Sequence, residues 1–124
     1  MNIHHAQQVS DDWPEVRAEL ERAFLMSREA AQAGENFVYV IHHDDLLGRR
    51  GPGNAMVATG LLSAARTGAI EGSRKGWTAN VVAFDDDADP EVVQAWAERL
   101  ASDPAGVSGE LIRVGVSHLG KTLP

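Results

Sequence analysis

The chain contains no cysteine, which excludes disulfides, thiolate nucleophiles and cysteine-based metal sites. Basic residues are scarce. Eleven Lys and Arg stand against eighteen Asp and Glu, a formal net charge of -7. That balance argues against nucleic acid and against anionic membrane surfaces as partners. No apolar run reaches the roughly 18 residues that a membrane span requires. Met1–Asp12 lacks the charged-then-apolar order of a secretion signal, so a cytoplasmic protein is expected. Internal repeats and low-complexity linkers are missing too. What remains is ordinary for a globular protein: 44% apolar and 23% charged residues in a length of 124. One domain over 1–124 is expected, with 1–9 as an N-terminal arm or edge strand and 117–124 as a tail.

Three helices and three strands alternate along that length. Residues 12–33 have apolar or small side chains at Val16, Leu20, Ala23, Phe24, Ser27 and Ala31, the spacing of one helix face. Ser10, Asp11 and Asp12 offer capping oxygens, Pro14 suits a first turn and Gly34 a C-cap. Asn36–His42 is a short apolar run that reads as a buried strand, and the Gly/Pro-rich stretch Gly48–Gly53 reads as a loop. A second helix is expected over 54–75. In it Gly60, Ala64, Gly68 and Gly72 recur every fourth residue and so share one face. Each glycine costs a helix about 1 kcal/mol relative to alanine, which calls for a backbone in close approach as compensation. Gly76–Phe84 reads as another buried strand. Pro90–Ser102 reads as a third helix with Asp89 as its cap and Val92, Val93, Trp96, Ala97 and Leu100 inward. Gly109–Val116 reads as the last strand. Such alternation implies a three-layer α/β domain with three or four parallel strands. The first two helices should cover one face and the third the other.

Two stretches look chemical. His42-His43-Asp44-Asp45 ends the first apolar run. Neighbours on a strand point to opposite faces, so the two histidines should diverge, leaving a solvated polar strand end. A metal would need Asp44 or Asp45 to join one of them, with His4 or His5 as a distant third ligand; no metal is expected. In the loop that follows, Gly51 and Gly53 fit a dinucleotide fingerprint, but position 56 is Met and no Lys-Ser/Thr pair follows. Arg49 and Arg50 are left as the only phosphate attractors there.

Several segments resemble the short-chain dehydrogenase/reductase superfamily. Asp11–Ala31 is similar to its fourth helix. "GAIEGSRKGWTANVVAF" looks like its helix-to-strand passage, with Glu71, Gly76 and Asn80 at family-like positions. "DPEVVQAWAERLASDPAGVSGELIRV" looks like its C-terminal segment. The resemblance spans about residues 10–116 and implies only the second half of a Rossmann fold, a half-Rossmann domain without the glycine-rich cofactor motif. "MNIHHAQQ" falls near the family's fourth strand and the Asn-Asn-Ala-Gly segment after it, and the initial Met points to a natural short chain.

The resemblance also assigns positions. The family's catalytic tyrosine falls on Asn54, its lysine on Ala58, its serine on His42 and its helical asparagine on Glu19. The Pro-Gly pair after its sixth strand falls on Phe84-Asp85, and its long substrate loop shrinks to "DDDADP". Hydride transfer by this chain alone is therefore not expected, and NAD(P) would enter only through a partner subunit. The family pairs its fourth and fifth helices between subunits, which implies an interface through Leu20, Phe24, Gly60, Ala64, Gly68 and Gly72. The function so implied is a structural or regulatory subunit, as a homo-oligomer or beside a full-length reductase of acyl-CoA, steroid or similar hydroxy/keto substrates. The alternative is a small enzyme or ligand-binding module that reuses His42, His43, Asp44, Asn54 and Glu19.

Overall fold

A computed structural model describes residues 1–116; the tail at 117–124 lies outside the described residues. Four strands form one parallel sheet in the order β1-β2-β3-β4. They are β1 (Asn2–His5), β2 (Phe37–His42), β3 (Ala79–Phe84) and β4 (Leu111–Val114). Between them run α1 (Trp13–Ala33), the single turn α2 (His43–Leu46), α3 (Pro52–Ser73) and α4 (Pro90–Ser102).

The central strands are apolar throughout because both of their faces are covered. All six residues of β2 are buried. Alternation along the strand divides their side chains. Phe37, Tyr39 and Ile41 join Val16, Ala23, Leu61, Leu62 and Val81 under α1 and α3. Val38 and Val40 join Val82, Val93, Ala97 and Leu100 under α4. The three-layer arrangement and the placing of the helices are as the sequence implies, and the fourth strand forms from the N-terminal arm.

Helix ends follow local chemistry. Gly34 takes the left-handed conformation (φ 72°), and its N–H reaches the carbonyl of Ala31 at 3.1 Å. Asp89 caps α4 by accepting the Glu91 N–H at 2.9 Å. At α1 the capping oxygens act differently from expectation. Asp12 makes no side-chain cap. Ser10 and Glu15 are linked instead, the Glu15 carboxylate accepting the Ser10 N–H at 2.8 Å. Asp11 turns away to α3, where it accepts the Gly53 N–H at 2.9 Å. A carboxylate there satisfies a free first-turn amide and meets the positive end of the helix dipole.

Several expectations need correction. The polar strand end is not solvated: His42, His43 and Asp45 are all buried. The chain turns into α2 directly after β2, and that turn packs against α3 and the end of β2. The loop is shorter than expected, since Pro52 and Gly53 already belong to α3. The inner face of α1 is Val16, Glu19, Ala23 and Ala30, while Phe24 is 60% exposed. On α4 the inner residues are Val93, Ala97 and Leu100, with Val92 and Trp96 nearly half exposed. Counting apolar residues widened both stripes, because a buried carboxylate and an exposed aromatic ring each invert the rule.

Candidate functional site

In open parallel sheets, ligands sit beyond the carboxyl ends of the strands. Here those ends bring together His5, His42, Phe84 and Val114, with α2, the acidic turn 85–89 and the first turn of α3 around them. His42 is the best fixed of these side chains. Its ring stands edge-on to Phe84 at 5.1 Å between centroids. Its Nδ1 accepts the Asp44 N–H at 3.1 Å and so caps α2. A nitrogen that accepts holds no proton, so the proton lies on Nε2. Nε2–H donates to Asp86 Oδ1 at 2.8 Å.

Charged pairs flank this dyad. Arg50 grips Asp45 through two bonds of 2.8 Å each, and that carboxylate, with Asp86 and Asp44 nearby, raises the Arg50 guanidinium further above its ordinary value. Arg49 reaches Asp44 at 3.4 Å. In the turn after β3, a hydrogen bond to Asp85 raises the Asp87 carboxyl above its ordinary value. A cavity of about 420 Å³ opens beside the turn, walled by Val40, Phe84 and Val93 and rimmed by His5, Asp85 and Asp86.

The other residues singled out by sequence are tied elsewhere. Glu19 is fully buried in α1. It accepts from His4 Nε2 at 2.6 Å, from the Gln7 N–H at 3.1 Å and from Arg22 at 2.8 and 3.1 Å. His4 is thus bound to Glu19 and not to the cluster at His42. Asn54 is buried; its Oδ1 accepts the Val9 N–H at 2.8 Å and its Nδ2 donates to the Arg50 carbonyl at 2.9 Å. Ala58 lies in the core. No hydrogen bond joins Glu19, His42 and Asn54 to one another among the described residues. Asp86 is what sequence reasoning missed. It lies 44 residues from His42, and only the pairing of β2 with β3 makes them neighbours.

The glycine ridge divides between roles. A Cβ on Gly72 would collide with the Trp77 carbonyl oxygen and indole, and one on Gly68 would come within 3.0 Å of Phe37 Cζ. Gly60 faces Leu20 of α1 at an ordinary 3.6 Å. Ala64 and Gly68 line a groove of about 510 Å³ between α1 and α3, together with Phe24, and Phe37, Tyr39 and Trp77 also line it. The close approaches that the spacing called for are made by this chain's own backbone and rings.

These elements match solved structures. An oxidoreductase of the short-chain dehydrogenase/reductase family from Burkholderia thailandensis aligns with a TM-score of 0.74 at 24% identity, over 90% of this chain and 61% of that one. The fold is that of part of a short-chain dehydrogenase/reductase. The enoyl-[acyl-carrier-protein] reductase (NADH) of Aquifex aeolicus gives a TM-score of 0.74 at 16% identity, over 96% of this chain and 63% of its own. A short chain dehydrogenase from Mycobacterium smegmatis gives 0.69 at 22%, over 92% and 57%. The chain therefore spans less than two thirds of the length of these dehydrogenase/reductase structures. No family model matches the sequence, and no curated protein matches it.

The glycine-rich start of α3 offers no site for a pyrophosphate. A pyrophosphate needs free backbone amides at a glycine-rich helix start. Here the Gly53 amide is taken by the Asp11 carboxylate, whose negative charge would repel a phosphate.

Proposed function

We propose that this chain is a non-catalytic protein of the short-chain dehydrogenase/reductase type, acting as a structural or regulatory subunit. One observation carries the reading. Two of the four positions at which the resemblance would place catalytic groups hold the chain's own backbone: Glu19 accepts the Gln7 amide and Asn54 accepts the Val9 amide. A third, Ala58, has no functional group, and His42 caps a helix. The chain's single tyrosine, Tyr39, is 2% exposed inside β2, and Lys75 pairs with Glu71 beyond the far end of α3. Among the described residues, a phenol and an ammonium are therefore both missing where hydride transfer to a carbonyl would need them.

The subunit partner is a second copy or a full-length reductase of hydroxy or keto substrates such as acyl-CoAs or steroids, and NAD(P) belongs to that partner. Supporting this, Phe24, Leu25 and Ile70 on α1 and α3 are 50–68% exposed, and Phe24 lines the groove between the helices. Sedimentation of the purified chain, with co-purification from the native host, tests the reading. A dimer or a reductase-containing complex that Phe24→Glu dissociates is expected. A monomer with no partner, or ketone reduction by the chain alone, overturns it.

A further inference from the structure

We propose that His42, Asp44 and Asp86 form a binding site for a borderline divalent cation, Zn²⁺ in the first instance. One donor atom from each of the three residues lies within 4.8 Å of the others. Three donors at about 2.1 Å around one tetrahedral cation stand about 3.4 Å apart. Closing from within 4.8 Å takes a shift of at most about 1.4 Å, and the least constrained member, Asp86, has a side chain 90% exposed.

The other parts suit a cation. His42 is held by burial and by Phe84, which gives the site one rigid donor. One imidazole with two carboxylates is a donor set for Zn²⁺ or Mn²⁺ rather than for a soft ion. Three protein ligands leave a coordination position open to water, and the cavity bordering Asp86 gives it room. The nearest competitor is Arg49, whose contact with Asp44 is a long 3.4 Å from a side chain 56% exposed. Asp45 and Asp85 add carboxylates around the cluster, Asp45 being paired with Arg50 and Asp85 lying on the rim of the cavity.

Binding has a chemical signature. Without metal, His42 carries its proton on Nε2, because Nδ1 accepts the Asp44 amide. A cation on Nε2 requires that lone pair, so the proton moves to Nδ1 and the bond from the Asp44 amide opens. No proton is gained or lost overall. The site uses His42, whose capping role is one part of the subunit reading, but none of the residues on the α1–α3 side, so failure of either leaves the other standing.

The experiment is a calorimetric titration of the chelator-stripped full chain with ZnCl₂, run on wild type and on the Asp86→Asn, Asp44→Asn and Asp87→Asn variants. One Zn²⁺ per chain is expected, with a dissociation constant of about micromolar. Asp86→Asn and Asp44→Asn should each weaken it about tenfold or more, while Asp87→Asn, which removes the same charge outside the donor set, should leave it within about twofold. Long-range ¹H–¹⁵N spectra should show the His42 proton on Nε2 before zinc and on Nδ1 after. Absence of saturable binding below about millimolar, equal weakening by Asp87→Asn, or an unchanged His42 tautomer overturns the proposal.

Discussion

Alanine at Gly72 and alanine at Gly60 should shift stability in opposite directions. Each replacement removes a helix-interior glycine, worth about 1 kcal/mol of propensity. At Gly60 the new methyl meets Leu20 Cδ2 at 3.6 Å, ordinary contact, so the gain is kept. For a domain of this size that raises the melting temperature by about 4 °C. At Gly72 the methyl meets the Trp77 carbonyl, which is backbone and cannot rotate away. The Gly72 carbonyl itself accepts the amides of Lys75, Gly76 and Trp77 at 2.9, 2.8 and 3.2 Å, so the turn is wrapped on the very residue that would have to move. Overpacking costs about 1–3 kcal/mol, and the fixed backbone puts this case at the upper end, a net loss of about 2 kcal/mol after the propensity gain. Urea denaturation followed by circular dichroism, at two protein concentrations tenfold apart, measures both variants. A Gly72→Ala protein as stable as wild type refutes the reasoning. A Gly60→Ala loss that deepens on dilution would place Gly60 in a contact between copies and refute its assignment to Leu20.

Two further outcomes follow from named contacts. Glu19→Ala removes a fully buried carboxylate and strands His4 and the Gln7 amide; a loss of about 3 kcal/mol is expected in the same urea assay, and a loss under about 1 kcal/mol would mean that water replaces the carboxylate. Asp87 holds its proton more tightly in the folded state, chiefly through the hydrogen bond to Asp85. A raised carboxyl adds stability at low pH that is lost as pH rises through the raised value. Asp87→Asn keeps a donor at every pH, so its stability relative to wild type should climb as pH rises above the ordinary aspartate range of about 4; parallel pH curves for the two proteins would rule that out.

Much of the layering was legible because burial on both faces writes itself as unbroken apolar runs. β2 and β3 each show one, and the caps at Gly34 and Asp89 announce helix ends by residue type. The errors have a common physical source. Glu19 is buried because His4, Arg22 and a backbone amide meet its charge, and none of those partners is visible in a hydrophobicity pattern. Phe24 and Trp96 belong to apolar stripes in sequence yet face outward. His42, His43 and Asp45 looked like a wet strand end, yet α2 buries them within one turn. The His42–Asp86 pair joins two strands across 44 residues, a distance that only the sheet register closes. For the same reason, sequence named His4 or His5 as a distant third partner for that strand end and did not name Asp86.

The hydrogen bond between Asn54 and the Val9 amide has an evolutionary consequence. If the resemblance is followed, position 54 is where a reductase holds its tyrosine. Restoring that phenol here would orphan the Val9 N–H and the Arg50 carbonyl together, an expense of about 1–3 kcal/mol for each buried group left without a partner. Restoring a lysine at 58 would drive an ammonium into the core occupied by Ala58. Neither step restores function without the other, and each alone destabilises. The segment running from Ala6 to Asp11 is bonded to β2 through Ala6 and to α3 through Val9 and Asp11. On the subunit reading proposed above, single substitutions at 54 or 58 therefore do not lead to a catalytic site.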